Sequence, residues 1–214
     1  MKKTILFGVL MLTAAVGVAQ ESRQDVSFSS TGLFGPTIHG TGGVVANSTG
    51  SLGLLTSYRF MLTPHSALEV NYSFAQNNQK YCVGGSCVPG YSGTPGLGST
   101  LFYRIHTREQ EVTAAYVFGM TFKRYNPFLE AGIGTMLFTP VLDNETTHLG
   151  IDKTSKEIAA LFGGGLAYEL SPSFDIRMEY RGFLVKTPSF GQSEINANRY
   201  EILNMPTLGV AYHF

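Results

Sequence analysis

Tryptophan is absent from this chain of 214 residues, cysteine occurs twice, and charged residues make up only 14%. So little charge excludes a disordered, solvating chain, and fifteen Lys and Arg without a basic patch exclude a surface that wraps nucleic acid. The twenty-five glycines follow no three-residue period, which excludes a collagen-like helix. Beyond the first twenty residues there is no apolar run of eighteen or more, so the chain does not cross a membrane by helices. No G-x-S-x-G elbow, H-E-x-x-H pair, phosphate loop or dinucleotide fingerprint occurs.

What is present begins with a leader. Lys2 and Lys3 precede an apolar run from Ile5 to Val18, and the small residues Gly17 and Ala19 then supply a cleavage site. This pattern predicts a signal peptide over residues 1–19, cut before Gln20, and a single domain over 20–214. An uncleaved anchoring helix is the alternative, and the run is short for it. The cut removes two lysines, leaving 195 residues with 13 basic against 15 acidic side chains.

After the leader, alternation with a period of two dominates, the mark of strands with one apolar face. In Ser51–Leu62 the face of Leu52, Leu54, Tyr58 and Phe60 opposes Ser51, Gly53, Ser57 and Arg59. In the next run Leu68, Val70, Tyr72 and Phe74 oppose Glu69, Asn71 and Ser73. The pattern returns over Glu109–Phe122, Phe128–Phe138, Ile158–Leu170, Asp175–Val185 and Tyr200–Phe214, and more weakly over Asp25–Phe34. That makes eight strands. Their links alternate between short turns at 63–66, 123–127 and 171–174 and long segments near 35–50, 79–106, 139–157 and 188–199. Even strand number with alternating links predicts an all-β fold, an eight-stranded antiparallel up-and-down transmembrane β-barrel. A soluble barrel would turn its bulky apolar faces inward around a ligand. Here the other faces carry glycine, small residues and most strand charges, which suits a narrow lumen. Sixteen strands of about ten residues would leave too little chain for their links.

The lumen-facing positions then hold Arg59, Glu69, Glu130, Glu169, Arg177, Glu179 and Arg181. Charges inside a narrow tube must pair or be solvated, and an eight-stranded lumen is just wide enough for side chains to fill. A polar plug is therefore expected, with a conducting constriction as the alternative. The outward aromatics, Tyr58, Phe60, Phe128, Tyr168, Tyr212 and Phe214, suit an interfacial girdle. Cys82 and Cys87 sit in YCVGGSCVPG, close enough to form a structural disulfide in an exported protein. The spacing is wrong for a C-x-x-C redox motif, and no neighbouring ligands suggest a metal. His39, His65, His106, His148 and His213 each stand alone, so no catalytic, cofactor-binding or metal residues are assigned.

The runs HTREQEVTAAYVF (106–118), RYNPFLEAGIGTMLFTP (124–140), GGGLAYELSPSFDIRMEYRG (163–182) and TLGVAYHF (207–214) resemble the small outer-membrane β-barrel proteins of Gram-negative bacteria. The likeness is to OmpA-like and OmpX-like transmembrane domains, in particular to uncharacterised acidobacterial members. It implies an outer-membrane location, surrounding lipid and lipopolysaccharide, and a monomer that binds no nucleic acid. It also implies that the barrel-assembly machinery recognises the closing strand through Phe214, Tyr212, Val210 and Leu208. A peptidoglycan-binding domain of the kind OmpA-like proteins carry is not expected beyond the barrel, so cell-wall anchoring is not implied. The expected role is structural or surface-interacting and non-enzymatic. A rim hydrolase or acyltransferase acting on lipid, and a small-solute channel, are the alternatives.

Overall fold

In the computed structural model, residues 24–40, 43–83, 101–141 and 151–214 are described. Ten strands form one antiparallel sheet: β1 (Gln24–Leu33), β2 (Ile38–His39), β3 (Val44–Ser48), β4 (Ser51–Thr63), β5 (Ser66–Val83), β6 (Leu101–Gly119), β7 (Tyr125–Pro140), β8 (Ser155–Ser171), β9 (Phe174–Lys186) and β10 (Tyr200–His213). Eight of them close a ring in the order β1, β4, β5, β6, β7, β8, β9, β10 and back to β1. Closure removes the free sheet edge that would otherwise leave backbone groups unpaired in hydrocarbon. The seam runs from Asp25 opposite His213 to Thr31 opposite Thr207.

The alternation decides the faces. Val26, Phe28, Leu54, Val70, Tyr116, Ile133, Met178 and Val210 are exposed on the outer wall, whereas Ser27, Ser57, Asn71, Thr113 and Thr207 are buried inside. A soluble barrel of this size would be unstable with such an exterior, whereas lipid is its natural solvent. Aromatic pairs mark the short-turn rim, with Tyr125 against Tyr168 and Phe174 against Tyr212, both at 5.1 Å between ring centres. Small residues keep the wall close-packed. A Cβ on Gly163 would lie 2.6 Å from the Tyr180 carbonyl oxygen on β9, backbone that cannot give way, so that position accepts no side chain.

The short turns fall where expected, at Pro64–His65, Met120–Arg124 and Pro172–Ser173. The ladders reach further than the alternation suggests at the other end. β5 continues to Val83 and β6 starts at Leu101, so 79–83 and 101–106 of the expected loop belong to the ladder between them. The expected 35–50 loop contains β2 and β3, and β3 pairs with the outer part of β5 beyond the end of β4. β7 and β8 likewise trim the 139–157 loop at both sides. At the short-turn end β6 stops at Gly119 instead of running to Phe122, which bridges Tyr125 across the turn.

Candidate functional site in the barrel lumen

Six of the seven predicted lumen charges come together. Near the short turns, Arg59 Nε donates to Glu69 Oε2 at 2.6 Å. Arg177 Nη2 donates to Asp25 Oδ1 at 3.0 Å and its Nη1 lies 3.6 Å from Glu69. Phe128, expected among the outward aromatics, instead points inward at the rim because it shares the phase of Glu130, and its ring lies beneath both guanidinium groups, 4.7 Å from Arg59 and 5.8 Å from Arg177. One layer deeper, Arg181 grips Glu111 with two bonds, Nη1 to Oε2 at 3.0 Å and Nη2 to Oε1 at 2.8 Å. Its Nε reaches Glu130 at 3.3 Å and Glu179 at 3.6 Å. Ser73 and Thr113 donate their hydroxyls to the same Glu111 carboxylate, at 2.8 and 2.7 Å. Asn71 joins the two groups: in the amide orientation that suits its neighbours it donates to Glu69 and accepts from Arg181. Such bidentate, charge-assisted bonds are the kind that offset the cost of burying a charge.

The membership differs from the expectation in three ways. Glu169 faces the lumen side of β8 but is only half-buried at the turn and joins no ion pair among the described residues. Asp25 and Glu111, partners of Arg177 and Arg181, were outside the predicted set although both occupy inward positions of their strands. His213, isolated in the sequence, lies at the rim with Nε2 2.9 Å from Asp175 Oδ2. His65, in the turn between β4 and β5, lines the same rim recess as His213, whereas His39 lies on β2 and His106 on β6. His148 lies outside the described residues.

The lumen is also not polar throughout. Beyond Arg181 toward the long loops, Phe183, Val185, Leu203, Met205, Leu161 and Phe138 form one buried apolar cluster, with Glu109, Glu201, Asn77 and Gln79 buried at the same end. The segment 187–199 between β9 and β10 folds onto this layer and buries Phe190, Ile195 and Ala197. Tyr81 fastens it, donating to the Pro188 carbonyl at 2.7 Å and meeting the Phe190 ring edge-on at 6.4 Å. Tyr103 adds a bond to Glu194 at 3.0 Å. Phe190 and Asn198 hold left-handed backbone conformations with φ of 50° and 46°, which a tertiary contact must hold in place. The sequence reading missed this layer, although apolar residues on both faces of 183–185 and 202–205 were a visible signal.

Cys82 is disulfide-bonded, and Cys87, the chain's other cysteine, lies outside the described residues. Among the described residues no group of three or more His, Cys, Asp or Glu is placed to hold a metal ion.

The family model of the outer membrane protein beta-barrel domain matches residues 5–214. Among solved structures the chain is similar to Neisserial surface protein A, at 13% identity and a TM-score of 0.61, over 90% of this chain and 98% of that one. It is similar to the outer membrane protein OprG from Pseudomonas aeruginosa at 12% identity and 0.59, over 91% and 97%. A third, the outer membrane protein AlkL in lipid bilayers, gives 17% and 0.52 over 92% of each. At these identities the likeness is one of fold. No curated protein matches the sequence.

Proposed function

Because the chain belongs to the outer membrane protein beta-barrel domain family, and so is an integral barrel of the outer membrane, we propose that it acts through its outer surface and loops and not through its lumen. The observation that carries this reading is the double filling of the interior. Buried ion pairs around Arg177 and Arg181 occupy the half near the short turns, and the apolar layer under Phe190 and Ile195 occupies the half near the long loops. Together they make a plug, and the protein is a structural or surface-interacting monomer surrounded by lipid and lipopolysaccharide. The same proposal takes residues 1–19 as a cleaved signal peptide, and takes the strand ending at Phe214 as the part read by the barrel-assembly machinery.

Planar-bilayer conductance and a lipid-hydrolysis assay on the same refolded protein test it together. The expected result is a silent bilayer and no release of fatty acid. A steady single-channel current would replace the plug with a channel, and acyl hydrolysis or transfer would replace it with a rim enzyme.

A further inference from the structure

At the mouth formed by the short turns the barrel leaves a recess of about 130 Å³, room for several waters or one small ligand. The Arg177–Asp25 ion pair lines it with several of its polar atoms unmet. Arg177 Nη2 meets Asp25 Oδ1, but Asp25 Oδ2 has no hydrogen-bond partner and stands 4.0 Å from His213 Nδ1. Arg177 Nε has none either, and its Nη1 comes no closer to Glu69 than 3.6 Å. Asp25 is 0% and Arg177 2% exposed, and both line the recess. Asn126 Oδ1, also without a partner, lines it too. Buried charged groups in folded proteins seldom leave such atoms unmet. Met61, Ala67, Val117, Met120 and Pro127 supply apolar lining.

We propose that this recess binds a small zwitterion of the amino-acid class. Its carboxylate meets Arg177, its ammonium meets Asp25, and an apolar side chain lies on Met61, Val117 and Met120. Unmet donors on Arg177 and an unmet oxygen on Asp25, two residues already in contact, complement a ligand whose own opposite charges are adjacent. A lone anion would face Asp25 and Asp175, and a lone cation would face Arg177 and Arg59, so either meets repulsion that a zwitterion avoids. The apolar lining with few convergent polar groups has the composition of a small-molecule site. Binding rests on the orientation of the barrel only for the compartment that supplies the ligand, and it is independent of whether the lumen conducts.

The test uses the full mature chain refolded in micelles with methyl-labelled methionine. Met61 and Met120 line the recess, while Met136 and Met205 sit in the interior away from it and serve as controls. Titration with leucine should shift the Met61 and Met120 methyl signals saturably and leave Met136 and Met205 unmoved. Leucinamide, which lacks the carboxylate, and 4-methylpentanoate, which lacks the ammonium, should each bind about tenfold more weakly, the effect of losing one charged hydrogen bond. Ala67→Phe, or Val117→Phe if the first fails to show the heat-dependent gel shift of a folded barrel, should abolish the response by filling the space. Absence of a saturable shift at roughly 10 mM leucine, tenfold above a millimolar Kd, would mean that only water occupies the recess. Either analogue matching leucine, or a filled variant still responding, would overturn the zwitterion assignment as well.

Discussion

Arg181 concentrates more of the interior's charge pairing than any other single side chain described above. It is fully buried and binds Glu111, Glu130 and Glu179 at once. Truncating it strands Glu111, itself 0% exposed, with only the Ser73 and Thr113 hydroxyls. Arg181→Ala should therefore destabilise the folded barrel by about 3–5 kcal/mol, the usual cost of orphaning a buried partner. Adding Glu111→Leu should recover part of that loss, because the stranded charge is what costs most. Urea unfolding in micelles measures both, and an unchanged midpoint for the single variant would show that water solvates Glu111 after all. Which residues carry charge into the lumen was legible from alternation alone, since Arg59, Arg177 and Arg181 fall on the small, polar phase of their strands. Their partners were not legible. Arg181 and Glu111 are 70 residues apart, and which inward carboxylate meets which arginine depends on the stagger of strands around the ring, a property of closure and not of any one strand. Glu169 shows the opposite error: its phase is correct, but it lies half-buried beside the turn and joins no ion pair among the described residues.

Strand ends were the least legible elements, and the reason is the solvent. Inside the membrane one face must be apolar, so alternation is strong; beyond it, residues such as Gln76, Asn78 and Lys80 face water while the ladder to β6 continues. Hydrogen bonding keeps β5 going where the sequence pattern has stopped. The segment 187–199 was read as a plain loop for a related reason, since Phe190, Ile195 and Ala197 have no period and reveal their role only against the apolar layer below. This segment and the ion-pair layer are separate barriers, and they can be separated by mutation. Ile195→Asp puts a charge into a site that is 1% exposed, which should lift the segment off the barrel mouth. Protease should then cut between 188 and 198 in the variant while the wild type resists. Bilayer conductance should stay at baseline, because the pairs around Arg177 and Arg181 remain. Current appearing in this variant would place the seal in the loop alone.

At the scale of the whole molecule, the eight-stranded ring stands or falls with one seam. β10 must find β1, and the ladder between them ends with Phe214 N–H donating to the Gln24 carbonyl at 3.0 Å. Left open in hydrocarbon, each unpaired backbone group on that edge costs several kcal/mol. On the lipid side the strand presents Leu208, Val210, Tyr212 and Phe214, all exposed, and the rings of Tyr212 and Phe214 stack 6.1 Å apart beside Phe174. On the lumen side it is small at Gly209 and Ala211, and a Cβ on Gly209 would come within 2.5 Å of Ser29 Cα on β1, so the two strands can close only around a glycine. The seam is therefore shaped for one register, and its aromatic end lies at the membrane interface where such rings are favoured. Deleting Phe214 removes the last seam bond and one ring of the stack, but it leaves residues 1–19, the proposed signal peptide, untouched. Export across the inner membrane should continue, while the amount of folded barrel in the outer membrane falls and unfolded chain accumulates in the periplasm. The heat-dependent gel shift of the outer-membrane fraction, compared with wild type in the same cells, measures this. Full insertion with a normal shift would mean that the seam is registered by β1 and the interior ion pairs alone, with no contribution from the terminal ring.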